Sequence, residues 1–253
     1  MKFTKTLIAA TLLATGGLAQ ASVFGITNAT TGSDAVLTLV DTANKSYFAV
    51  DLGITYASLA ANPSQLSADQ VTGGNFTTFI TNAGSDAIQW KLEAGYNYKT
   101  GTPTYITTLE TDVTAAALQA QLVTTDLATA ITNLGNSFNG YNGSAAGSNS
   151  ITVANNGAGY STAYSVNDQG PLNNWSNSVA VGTALNLFET QQTGKTTVVS
   201  TEILAGLTFN VNGSTGTFTT ASTAPAVPLP TTAWMFLSGV IGMLSLKRKN
   251  SSV

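Results

Sequence analysis

The sequence predicts a mainly β chain: an antiparallel β-sandwich or jelly-roll-like domain with a helical insertion, followed by a single C-terminal membrane helix. Three observations lead there. Two long stretches alternate strictly between apolar and polar positions. One internal stretch switches to three- and four-residue spacing. The charges are few and unevenly placed, being 8% of the chain against roughly 25% in ordinary soluble domains.

Taken in chain order, residues 1–21 read as a signal peptide. Lys2 and Lys5 supply a positive start, Thr6–Ala19 an apolar run of fitting length, and Ala19-Gln20-Ala21 a small-x-small cleavage site that leaves Ser22 as the new terminus. A β-rich extracellular domain is expected over 22–212. Its clearest strands are Ile88–Lys99, with Ile88, Trp90, Leu92, Ala94, Tyr96 and Tyr98 on one face, and Val199–Val211, with Val199, Thr201, Ile203, Ala205, Leu207, Phe209 and Val211 on one face. Period two at this length marks half-buried antiparallel strands, so Trp90 and Leu92 face a core and Lys91, Glu93 and Glu202 face solvent. Shorter strands are expected at Val23–Thr27, Ala35–Val40, Ser46–Leu52, Phe76–Thr81, Ser150–Ala154 and Ala180–Leu187. The turn residues between them include Gly73-Gly74-Asn75 and Asn212-Gly213.

The helical segment covers about 112–138, where Val123, Leu127, Ile131, Leu134 and Phe138 share one helical face. Thr111 or Asp112 can cap its start and Asn139-Gly140 its end. A weaker helix is expected over Ser64–Gln70, after Pro63. Residues 213–226 have the composition of a Thr/Ser-rich linker.

Charge and composition exclude several functions. Residues 22–226 hold all twelve acidic residues but only Lys45, Lys91, Lys99 and Lys195, a net charge of −8. Such a body has no basic patch for nucleic acid. The chain has neither Cys nor His, so disulfides, the commonest general base and the commonest metal ligand are all missing. No cofactor is expected. A metal would have to rest on carboxylate and backbone oxygens; no EF-hand spacing occurs, and an irregular calcium site near Asp168 or Asp86 stays open. Glu93, Glu110, Asp112, Glu189 and Glu202 are the candidates for a paired-carboxylate glycosidase. No nucleophile motif is present. Trp175, in a polar loop, is the candidate for stacking on a sugar ring.

The last segment, 227–250, carries the sharpest signal. A proline motif at Val227-Pro228-Leu229-Pro230 precedes Thr231–Leu246, sixteen apolar or small residues, and then Lys247-Arg248-Lys249. As a helix, Thr231–Leu246 spans ~24 Å, short of a hydrocarbon core of roughly 30 Å. Trp234 suits one membrane interface, and the basic cluster would stay cytoplasmic, leaving the body outside. A plain anchor needs no proline motif and gains from a longer helix, whereas a processing signal uses an extended grip site, a brief hold and a stop.

These residues resemble the PEP-CTERM sorting signal of Gram-negative bacteria, read by exosortase-type membrane enzymes. Val227–Pro230 is similar to the V-P-x-P core, with Leu229 in place of the glutamate, and Trp234–Gly239 is similar to the W-L-F-x-S-G helix start. Leu229–Ala233 also approaches the L-P-x-T-G sortase signal, with Ala233 in place of glycine. The resemblance covers Val227–Asn250. It implies membrane-embedded processing, transient inner-membrane anchoring, delivery to the cell surface, and work beside exopolysaccharide in a biofilm or floc. The expected function is therefore non-enzymatic: association with extracellular polysaccharide, and self-association through strand edges. The alternative is a secreted polysaccharide-active hydrolase with a carboxylate pair; a calcium-stabilised adhesin is a third reading.

Overall fold

The structure is a computed structural model that describes residues 33–96, 103–122, 127, 132, 134–138, 141, 150–154, 178–193 and 197–221. The strands are β1 (Asp34–Asp41), β2 (Ser46–Thr55), β3 (Gln70–Val71), β4 (Ile88–Tyr96), β5 (Thr104–Leu109), β6 (Ser150–Val153), β7 (Val179–Ala180), β8 (Ala184–Thr193), β9 (Thr197–Asn212) and β10 (Thr215–Thr219). Three short α-helices, α1 (Tyr56–Ala61), α2 (Gly74–Ala83) and α3 (Ala115–Gln121), join a 3-10 turn at Pro63–Ala68.

The described strands form one antiparallel sheet in the order β3-β10-β9-β8-β5-β4-β1-β2-β6, with β7 added beside β4. Two facing sheets were the sequence expectation; here the ladder is continuous and curls. Leu52 of β2 and Val71 of β3 come from strands far apart in that order, yet share one core.

Both faces of the sheet are covered. The inner face carries Leu37, Leu39, Phe48, Trp90, Leu92, Ile106, Leu187, Leu207, Phe209 and Phe218, and is closed by Leu59 of α1, Leu66 of the 3-10 turn and Phe76 and Phe79 of α2. Aromatic rings fill it: Phe209 lies 5.0 Å from Phe218, and Phe48 lies 5.4 Å from Phe76 in an edge-on arrangement. The outer face carries Val36, Val40, Tyr47, Tyr105 and Phe188, and is closed by Leu118 of α3, Leu122, and the helical residues Leu127, Leu134, Phe138 and Tyr141. Leu127, Leu134 and Phe138, the described members of the expected apolar stripe, are buried on this outer face.

Four expectations are corrected. Phe76–Thr81 belongs to helix α2, not a strand: Phe76, Phe79 and Ala83 fall three and four residues apart on one buried face, and Gly73 and Gly84, both at positive φ, bracket it. The helix expected over 112–138 breaks at Leu122, whose backbone is extended, and Thr114 rather than Thr111 or Asp112 caps its start by accepting from the Ala117 N–H at 3.2 Å. Ala180–Leu187 splits at Gly182 into β7 and the start of β8. The segment expected as linker from 213 begins with strand β10, joined to β9 by the expected Asn212-Gly213 turn. Phe218 anchors that strand in the inner core, and Gly216 leaves room that a Cβ would take from the Phe209 ring. The compact unit holding these strands ends at Thr220.

Candidate functional site

The strand pattern of β4 decides where the candidate carboxylates go. Trp90 and Leu92 are buried in the inner core, as the alternation predicts, and the Trp90 indole N–H donates to the Thr183 carbonyl at 3.1 Å. Lys91 and Glu93, expected in solvent, are instead buried on the outer face. Their side chains form an ion pair of 2.8 Å, and the Tyr105 hydroxyl donates to the same Glu93 carboxylate. The cause is the helical layer: α3 with Leu127, Leu134, Phe138 and Tyr141 covers the polar face of this strand as well as its apolar neighbours. Beside the pair, the Tyr141 and Thr38 hydroxyls lie 3.3 Å apart, and burial pushes the Tyr141 phenol above its ordinary pKa. A charge pair taken out of water persists only when its remaining polar atoms are also satisfied, which the Tyr105 hydroxyl helps achieve.

The other candidates do not join Glu93. Glu189 pairs in register with Ile106, which places it on the inner side of the sheet, where its carboxylate accepts from the Tyr56 hydroxyl. Glu93 lies on the opposite side, so these two do not flank one substrate bond. Glu202 is exposed, as expected; its carboxylate accepts from the Asn186 amide at 3.3 Å, and that amide also reaches the Thr111 carbonyl at 3.5 Å. Asn186 thus ties Glu202 to the turn that holds Glu110 and Asp112.

Three acidic groups outside the sequence candidates, Asp34, Asp51 and Asp69, are shifted upward, each chiefly by burial. Asp51 is buried on β2; its Oδ1 accepts from the Gly53 N–H at 2.8 Å and its Oδ2 has no hydrogen-bond partner. Burial pushes its pKa up to about 7, helped by the neighbouring negative charge of Asp34 and opposed by the Gly53 bond. Asp69 is shifted up by burial as well, and it lines a shallow cleft with Val50, Asp51, Leu52, Gln70, Val71 and Thr72. A lone Asp in an alternating strand gives no sequence signal for this. Gly53, two residues on and at positive φ, sits at the register shift between β1 and β2 and donates its N–H to Asp51.

Asp86 is half-buried, and its carboxylate accepts from the Asn44 amide at 2.8 Å; that amide also donates to Asp41 at 2.8 Å. Among the described residues no three acidic side chains converge as a metal site, and no helix is long and apolar enough to cross a membrane. Trp175, Asp168, Tyr98, the cleavage-site residues Ala19, Ala21 and Ser22, and all of Val227–Lys249 lie outside the described residues. The chain matches no family model, no curated protein and no solved structure.

Proposed function

We propose that this chain is an exported, C-terminally processed protein of the cell surface or extracellular matrix, acting by association with exopolysaccharide in biofilm or floc formation. The order of the C-terminal residues carries the reading: the Val227–Pro230 motif, Trp234 at the head of a short apolar run, and the Lys247–Lys249 stop. In this reading Thr231–Leu246 is a transient membrane helix, an exosortase-type enzyme cuts near the proline motif, and the sandwich- or jelly-roll-like body is left outside.

The body suits that role through its surface chemistry. Its turns and exposed strand positions are dominated by Thr, Ser, Asn and Gly, which hydrogen-bond to hydroxylated polymers without ionic attraction. Glu93, one of the five carboxylates a glycosidase could draw on, is engaged with Lys91 and Tyr105 inside the outer core, and Glu189 lies on the other side of the sheet. This supports binding over hydrolysis. Trp175 is the proposed stacking residue on the sugar.

The test is co-sedimentation of the secreted chain with exopolysaccharide from the producing culture, with reducing ends assayed in parallel. Retention on the polymer without new reducing ends is expected, and Trp175→Ala should weaken it. Release of reducing ends would favour the hydrolase, and absence of retention would remove the association reading.

A further inference from the structure

β9 is sixteen residues long, yet β10 pairs with it only along Thr208–Asn212. β8 occupies its other side from Thr197 to Thr208. Among the described residues, no strand pairs with the second edge of β9 between Thr197 and Leu207. Such an edge presents a row of backbone N–H and C=O groups, and natural sheets usually guard it with Lys, Pro, bulges or shortness. Register shifts opposite Leu185–Phe188, with Gly206 at positive φ, guard the stretch between Glu202 and Leu207. Thr197–Glu202 (TVVSTE) carries no Lys, Pro or bulge and one charge, at its end, while α3 packs on β9 over the outer core. Val198 and Ser200 are buried against the outer core, whereas Thr197, Val199 and Thr201 are exposed on the other face. Val199, at 37% exposure, is the large hydrophobic side chain that the described residues leave in solvent.

We propose that the Thr197–Glu202 edge pairs antiparallel with the same edge of a second copy, about a two-fold axis perpendicular to the sheet. The proposal rests on the association reading above and names one of its partners. The edge is its own complement. A two-fold axis of this kind keeps each side chain on its own face, so residues of equal parity oppose one another. Centring it on Val199 sets Val199 against Val199 and Thr197 against Thr201, β-branched pairs of the kind that stabilise neighbouring strands. The Glu202 carboxylates then lie apart on opposite flanks. Gln191 and Thr193, exposed on the adjoining strand, are uncharged, so no like charges meet on that face. A polysaccharide lacks the regular amide row that an open strand edge matches. A second copy supplies it and leaves neither edge open, which closes the assembly at two chains.

The chain contains no cysteine, so a single introduced thiol reports the contact directly. In the secreted chain, Val199→Cys should oxidise to a disulfide-linked dimer. Thr42→Cys, exposed in the β1–β2 turn, should stay monomeric under the same oxidant. By light scattering, the unmodified chain should have twice the monomer mass, and Val199→Lys should lose the dimer with an unchanged circular-dichroism spectrum. A monomer at all concentrations, a dimer indifferent to Val199→Lys, or equal cross-linking of the two thiols would overturn the edge pairing. A monomer that still sediments with polysaccharide would overturn this inference alone. An intact dimer that fails to sediment would instead overturn the polysaccharide reading.

Discussion

On β4 the inner face of the sheet buries Trp90, Leu92 and Ala94, while the outer face of the same strand buries Lys91 and Glu93. The inner face is filled mainly by shape, aromatic rings and leucines packed under α1, α2 and the 3-10 turn, with hydrogen bonds at Trp90 and Glu189. The outer face mixes apolar packing with an ion pair, three tyrosines and Thr38 under the helical layer. Polar alternation along a strand therefore does not separate core from solvent when both faces are covered. What distinguishes the faces is the balance: mostly dispersion contacts on one side, and an ion pair with hydroxyls around it on the other.

The largest effect expected from this difference is at the ion pair. Lys91→Met leaves the Glu93 carboxylate buried without its cation and should cost about 3–5 kcal/mol in urea denaturation. Lys91→Met with Glu93→Leu should recover part of that loss, leaving about 1–3 kcal/mol for the acceptor that Tyr105 loses. On the inner face, Leu92→Ala should cost about 2–5 kcal/mol, with no second deletion to recover it. A single Lys91→Met cost under about 1 kcal/mol would mean that water reaches the pair, and the contrast between the faces would collapse.

A smaller effect sharpens the same contrast through pH. Asp51 pairs in register with Val36 on the outer side, and its pKa is pushed up to about 7 from 3.8 by burial and by Asp34. The folded state then holds this proton more tightly than the unfolded chain. Its contribution favours the fold below about pH 4 and is lost as pH rises through about 7. Asp51→Asn should flatten part of the stability decline between these limits and make the protein more stable than the parent at pH 8. Identical pH profiles for the two proteins would show that Asp51 carries no such proton.

Much of the fold was legible where local signals agreed. The alternation around Trp90 placed that residue in the core, Asn212-Gly213 marked a true hairpin, and Ala35–Val40 and Ser46–Leu52 fall inside strands. The misreadings share a cause, which is tertiary context. Phe76–Thr81 is β-branched and aromatic enough for a strand, yet its three- and four-residue spacing of Phe76, Phe79 and Ala83 suits the surface it covers. Phe218 sits in a Thr- and Gly-rich stretch, and only its partner rings Trp90 and Phe209 reveal it as core. For the outer face a signal did exist. The stripe Leu127–Leu134–Phe138 had to bury somewhere, and Lys91 and Glu93, two residues apart in a chain poor in charge, are complementary. Of the candidate site residues, the strand carboxylates were visible by type, but their partners Tyr105, Tyr56 and Asn186 lie 12 to 133 residues away, beyond any local pattern.

Delivery to the surface and removal of the C-terminal segment both leave their mark on the mass of the mature chain. Intact and C-terminal peptide masses should be taken on protein recovered from the cell surface. The expected mature chain begins at Ser22 and ends near the Val227–Pro230 motif, without Trp234–Lys249. A mature surface chain that still carries Trp234–Lys249 would contradict it and leave that segment as a simple anchor.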